Sequence, residues 1–537
     1  MREKFAYWDT LFFQYLKRDW KKTTIWIIGL GLFSGAFIPA FKELAKGNGL
    51  RGMYETMQNP AMISMVGPTP VKNATAYTIG AMYSNEMLLF CGLFAMIISA
   101  LHVVSHTRHE EDLGLTELVR SFKVGRQANS VAVVLETVVI NILLGTFTSL
   151  VMISFGVTAL SNEGIILFGS SLVIAGFIGT AIGILMSQLM PNSSGATGSS
   201  IGIIGILYII RAGTDVSNSN YSMWNPMGWT YLTYPFTNND WTPIIYGVIF
   251  LLVLGSIAFV LEENRDMGSG YIPEFQGKSH ANITMLSVPG FLLRINRGIS
   301  ISWLLAFAIM GAAYGSIYGD MQEFLNSSPL VKQMFTMSGH SIEESFTSTI
   351  MMVMVVMATI LPIVIINKLF TEESHARLSQ IFSTKVTRAK LYWTTICLAI
   401  IMGTLGIMIS SLSLGETALS SMDSKSVMDL SEFVKAGLNF FPAVLFFIGL
   451  AGITLGWIPK LSKIVYVYLT YAFMLNYFGG ILDLPDWFNK TAIQSWIPRM
   501  PISKFDGATF ATITIISVVM IITGYVGYRN RDLVEGS

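Results

Sequence analysis

Residues 107–126 read TRHEEDLGLTELVRSFKVGR, and residues 371–388 read TEESHARLSQIFSTKVTR. Each stretch opens on an acid pair, Glu110-Glu111 in the first and Glu372-Glu373 in the second. Twelve positions after Glu111 stands Lys123, and twelve after Glu373 stands Lys385. Around these lysines the frames are Ser121-x-Lys123-Val124-x-Arg126 and Ser383-x-Lys385-Val386-x-Arg388. Both stretches follow a long apolar run and precede another. A polar, amphipathic helix repeated between membrane spans suggests a surface for a soluble partner, so the protein is expected to be moved by something docked there.

Outward from the two stretches, apolar runs occupy about 23–40, 84–105, 129–158, 165–190, 198–213 and 243–262. They resume at about 300–318, 346–367, 391–413, 437–458, 463–482 and 508–528. A span needs about 20 apolar residues to cross the hydrocarbon core, so twelve helices are expected, six in each half. The run at 198–213 is the shortest and could be broken or tilted. Composition agrees: 52% of residues are hydrophobic, 12% are charged, and the mean hydropathy is +0.57. Soluble domains carry about 25% charged residues, so the fold class is an all-α polytopic membrane protein. The net charge of +1 gives no pointer to nucleic acid. Cys91 and Cys397 each lie within an apolar run, far apart, and form neither a disulfide framework nor a metal-ligand spacing. No cleavable leader is expected at the N-terminus.

Residues 1–22 mix aromatic side chains with Lys17, Arg18, Lys21 and Lys22, which predicts an interfacial amphipathic helix. A first six-span domain follows at 23–270, a cytoplasmic linker at 271–298 and a second six-span domain at 299–537. Most Lys and Arg fall in segments that become cytoplasmic if the N-terminus is inside, which places both termini in the cytoplasm. The longer outer segments, 41–79, 319–345, 414–436 and 483–507, have room for short helices.

The halves correspond beyond the opening motif. Gly176, Gly179 and Gly183 recur as Gly449, Gly452 and Gly456 at a constant offset of 273, a spacing that lets helices approach closely in lipid. Gly31 and Gly35 match Gly311 and Gly315, and Trp224 and Pro226 match Trp496 and Pro498. Arg265-Asp266 and Arg531-Asp532 each follow the last span of a half. Six spans per half give both the same orientation, a parallel repeat.

No phosphate-binding GxxxxGK[ST] loop occurs: Gly277-Lys278-Ser279 has the ending, but Ile272 stands where the first glycine belongs. The chain is therefore not expected to hydrolyse nucleotide by itself. Three charges fall within apolar runs, Glu86, Glu136 and Arg211. Such groups are costly in lipid and mark a transport path or a paired interior. Glu86 and Arg211, near outer ends, could instead snorkel to water. Glu136 is about three turns inside, and its counterpart in the second half is Leu398, so any such site is asymmetric. His102 and His106 read as interfacial rather than as ligands. Met351 and Met354, in the run that opens the eighth span, suit an adaptable substrate surface, although ordinary packing accounts for them more readily.

The loop residues Glu110, Glu111, Gly114, Glu117, Leu118, Ser121, Val124, Gly125 and Arg126 resemble the "EE…G…EL…S…VGR" loop of the ABC-2 type permeases of ATP-binding-cassette exporters. More narrowly, the chain is similar to fused permeases regarded as exporters of polyketide antibiotics, which have two six-span halves. The Ile210-Arg211-Ala212, Asn225-Pro226-Met227-Gly228-Trp229 and Asn264–Gly270 stretches carry that similarity. The second copy departs from the loop pattern at Ala376 and Ser379. The resemblance implies a permease without its own motor, in a bacterial cell membrane, binding two copies of a separately encoded ATPase that uses ATP and Mg. Glu110, Glu111, Gly114, Glu117, Leu118, Ser121, Arg126, Glu372, Glu373, Ser383 and Arg388 would then form the coupling surface. The cargo would be a small amphipathic or hydrophobic compound, exported among membrane lipids. A twelve-span ion-coupled secondary transporter is the alternative. A lipid-modifying membrane enzyme is a third class, but no cluster of acids or histidines at one depth is legible in the sequence.

Overall fold

The computed structural model describes residues 2–47, 49–58, 60–157, 160–273, 280–281, 283–320, 341–422, 428–482 and 485–534. Parts of the expected linker and of the outer segments 319–345, 414–436 and 483–507, with Gly277-Lys278-Ser279, lie outside them. The described residues are helical and contain no strand. In a bilayer this is the expected solution, because a helix satisfies its backbone hydrogen bonds internally. The chain divides into two compact units, residues 1–276 and 277–537.

The long helices of the first unit are α1 (Trp8–Gly35), α2 (Ile79–His106), α3 (Ala128–Ser154), α4 (Asn162–Leu189), α5 (Ser193–Ser217) and α6 (Thr242–Asn264). Those of the second are α7 (Val288–Ser316), α8 (Ile342–Ser374), α9 (Arg388–Ser421), α10 (Phe441–Trp457), α11 (Ile464–Leu482) and α12 (Gly507–Asn530). The core of every expected apolar run thus lies on a helix. Eleven helices among the described residues are long and apolar enough to cross a membrane. The expected eleventh span, α11, is not one of them. It is 19 residues long.

Three boundaries differ from the sequence expectation. Residues 8–22 are not a separate helix but the leading part of the 28-residue α1. Likewise α7 begins at Val288, capped by the Ser287 hydroxyl, so the end of the expected linker is already helical. In both places hydropathy changes while good helix formers continue the backbone. The short run at 198–213 belongs to an unbroken 25-residue helix, with the Asn192 side chain accepting from the Gly195 N–H at 2.8 Å. A further short helix, Leu430–Asn439, precedes α10 and is separated from it at Phe440, just before Pro442.

Each unit packs its first long helix on its third, α1 on α3 and α7 on α9, and its fourth on its sixth, α4 on α6 and α10 on α12. Gly31 and Gly35 lie against Phe147, Thr148 and Val151 of α3; Gly311 and Gly315 lie against Ser410, Ser413, Leu414 and Thr417 of α9. The glycine triplets do not repeat their partners so faithfully. A Cβ on Gly179 would stand 2.0 Å from the Met96 carbonyl oxygen of α2, and one on Gly183 would meet Ala100 of the same helix. Gly176 lies against Asn141 of α3. In the second unit Gly449 meets Ser517 and Met520 of α12, a Cβ on Gly456 would stand 2.2 Å from the Gly524 carbonyl oxygen, and Gly452 lies under the Tyr392 hydroxyl. Equal spacing therefore serves unequal neighbours.

Candidate functional site: the repeated polar loops and a buried histidine–glutamate cluster

After α2 the chain forms two short helices, Arg108–Asp112 and Leu115–Arg120, hinged at Gly114. Gly114 has φ 73°, a left-handed conformation in which a side chain is strained. After α8 the corresponding helix is Leu378–Phe382, and the position aligned with Gly114 is Ala376, with φ 57°. The second loop therefore keeps the left-handed hinge although it has lost the glycine.

The acid pairs have partners inside their own units. Glu111 receives two hydrogen bonds from Arg265, at 3.0 and 2.8 Å, one from Arg108 at 3.0 Å, and the Gly268 N–H at 2.7 Å. Glu373 is fully buried; both terminal nitrogens of Arg531 donate to it, and the Val534 N–H does so at 2.9 Å. Arg126 donates to the Arg265 carbonyl, and Arg388 donates to the Arg531 carbonyl at 2.5 Å. Two separately repeated motifs, the acid-pair loop and the Arg-Asp pair past the last span, thus meet as one clasp in each unit. Fork-to-carboxylate pairing of this kind fixes orientation as well as charge.

Glu110 faces inward too, 2.8 Å from Arg18, and accepts from the Tyr15 hydroxyl at 3.1 Å. Glu372 pairs with Arg377 at 3.0 Å. What the first loop presents outward is Glu117, Ser121 and an apolar row: Leu113, Leu115, Leu118 and Phe122 are 44–69% exposed. In the second loop the positions aligned with Leu118 and Phe122 are Gln380 and Thr384, while Ile381 and Phe382 are half-buried against the second unit's core and Ser383 is exposed. Burial lowers the pKa of the Arg120 guanidinium, opposed by Glu262 at 3.6 Å.

The intramembrane candidates separate. Arg211 is fully buried, paired with Asp215 at 3.0 Å and bonded to the carbonyls of Ser64 and Met65 at 2.5 and 3.1 Å. Asp215 in turn accepts from Ser222 and Tyr231. Glu86 has a buried carboxylate oxygen without a hydrogen-bond partner. Met351 and Met354 are fully buried in a cluster with Phe346, Leu414 and Phe433. Glu136 is fully buried on α3, and its Oε2 lies 3.2 Å from Nε2 of His102 on α2. His106, one turn further along α2, extends the cluster to Asp19 at 3.0 Å and to Arg18 at 3.0 Å. A small cavity beside it is lined by Trp26, Ser99, His102, Thr137 and Asn141.

The sequence reading missed the grouping of Glu136 with both histidines, and it missed Asp215 as the partner of Arg211. The four-residue spacings His102/His106 and Arg211/Asp215 were the available signals, since such residues share a helix face.

Residues 286–529 match the family described as the C-terminal domain of the multidrug efflux system permease Rv1217c. Along nearly its whole length the chain is similar to the multidrug efflux system permease protein Rv1217c of Mycobacterium tuberculosis. The two are 23% identical over 525 residues, covering 97% of this chain and 94% of that protein.

Proposed function

We propose that this polytopic membrane protein is the permease of an export system for small amphipathic or hydrophobic compounds, energised by two copies of a separate ATP-binding-cassette ATPase. The observation that carries the reading is the apolar row on the first polar loop. Leu113, Leu115, Leu118 and Phe122 stand exposed on a loop whose acid pair, Glu110 and Glu111, is turned inward and clasped. Such a patch on a polar loop suits a protein partner. The full-length similarity to a multidrug efflux permease supports the transport class. In this reading both termini and both loops face the cytoplasm of a bacterial cell. ATP and Mg act on the partner, and cargo leaves outward across the cell membrane.

The test is co-purification of the chain with a separately encoded ATP-binding-cassette ATPase co-expressed from the same source, followed by ATPase activity in lipid. One permease with two ATPases, stimulated by an apolar compound, is the expected result. Leu118→Asp together with Phe122→Asp should abolish capture of the ATPase while leaving the helical fold intact; capture at wild-type strength would refute the docking surface. A second reading, ion-coupled secondary transport, is favoured by the buried Glu136–His102 pair. Transport driven by a proton gradient without ATP would establish it instead.

A further inference from the structure

The first unit contains a donor set that the export reading does not use. His102 and His106 stand one turn apart on α2, their rings 4.3 Å between centroids, and Glu136 reaches them from α3. One ligand atom from each of the three residues falls within 4.8 Å of the others, and all three residues are buried. Three donor atoms there have no hydrogen-bond partner, Oε1 of Glu136, Nδ1 of His102 and Nε2 of His106, and their residues are 0%, 1% and 5% exposed. A buried carboxylate oxygen left without a partner is unfavourable, and buried charges are normally paired or bound to metal.

We propose that His102, His106 and Glu136 form a binding site for one divalent transition-metal ion of the zinc type. Two imidazole nitrogens and a carboxylate oxygen are a ligand set that Zn²⁺ accepts, at about 2.0–2.2 Å each. A small inward shift of the three side chains brings 4.8 Å separations to that geometry. Imidazole and carboxylate together favour zinc, cobalt and nickel over calcium or magnesium, which prefer oxygen alone.

The surrounding charges agree. Asp19 lies 3.0 Å from His106 and Glu110 lies 3.6 Å from it, while Arg18 contacts the same ring and Lys22 lies over the Trp26 ring, 4.6 Å from its centroid. The three carboxylates Asp19, Glu110 and Glu136 outnumber the two cations Arg18 and Lys22 by one, so a divalent ion removes an excess of negative charge. The ion would join α2 to α3, with Asp19 on α1 orienting one ligand as outer partners commonly do.

The test uses the full chain, purified without a histidine tag and held in lipid nanodiscs, titrated with Co²⁺ and then competed with Zn²⁺. One Co²⁺ per chain is expected, with visible absorption bands of low-coordinate nitrogen and oxygen ligation that Zn²⁺ removes. His106→Ala and Glu136→Gln should each weaken Co²⁺ binding at least tenfold. His102→Gln, close in volume, provides a third variant should either of these lose its helical circular dichroism. Absence of Co²⁺ binding at about 100 μM, well above ordinary site affinities, overturns the proposal. So does Co²⁺ binding unchanged in folded variants. Neither result depends on ATPase capture or transport, so a failed metal site and a failed export reading remain distinguishable.

Discussion

At the scale of single residues, the clasps have unequal redundancy. Glu111 keeps Arg108 and the Gly268 N–H if Arg265 is removed, whereas among the described residues the ion pair of Glu373 is with Arg531 alone. Breaking a buried pair by removing one partner destabilises by about 3–5 kcal/mol. Arg531→Ala should therefore lower the melting temperature in detergent more than Arg265→Ala; equal shifts would show that the extra partners of Glu111 contribute nothing. The hinge gives a prediction of opposite sign. Ala376 holds φ 57°, a conformation that disfavours an L side chain by about 1–2 kcal/mol. Ala376→Gly should relieve most of that strain and raise the melting temperature, partly offset by the greater freedom of glycine in the unfolded chain. A lower melting temperature would contradict it. The acid pairs were legible in the sequence because they repeat. Their partners were legible only as a second repeat, since 154 and 158 residues separate Glu111 from Arg265 and Glu373 from Arg531. Nothing local joins residues so distant in the chain. Glu136 was singled out for its charge in an apolar run, but His102 and His106 gained meaning only when α3 was packed on α2.

Helices show where hydropathy sufficed. The cores of all twelve apolar runs are helical, yet the starts of α1 and α7 extend well before their apolar cores. Backbone continuity depends on helix propensity and hydrogen bonding, which polar residues such as Lys17 and Arg18 support as well as leucine does. Spacing alone marked the glycines as close-packing positions but not their partners, since the triplets align in sequence and face different helices. Their packing predicts a contrast. Gly179→Ala and Gly456→Ala insert a methyl within 2.0 and 2.2 Å of backbone oxygens, so each should destabilise by about 1–3 kcal/mol. On α5, Gly202 and Gly205 have nothing within 4 Å of an added Cβ. Gly202→Ala and Gly205→Ala should be neutral, or stabilising by up to about 1 kcal/mol through helix propensity. Thermal unfolding of the four variants in one lipid mixture would measure the contrast, and comparable losses at all four sites would contradict it.

For the whole molecule, the two loops share a frame but present different faces. The first exposes Leu118 and Phe122, while the second holds Ile381 and Phe382 half-buried. If the proposed ATPases engage these loops, Leu118→Ala should reduce ATPase stimulation severalfold and Ile381→Ala should reduce it less. An equal loss would mean that the difference in exposure does not govern docking. The departure at Ala376 and Ser379 made this inequality visible in the sequence, but its direction needed the burial of each side chain. The clasp itself has a mechanical consequence. In the first unit the loop is continuous with α2 and tied by Glu111–Arg265 to the exit of α6, while α4 packs between α2 and α6. A load applied at Leu118 would therefore enter through two anchorages of one triangulated frame, as through a yoke, rather than through a single rod.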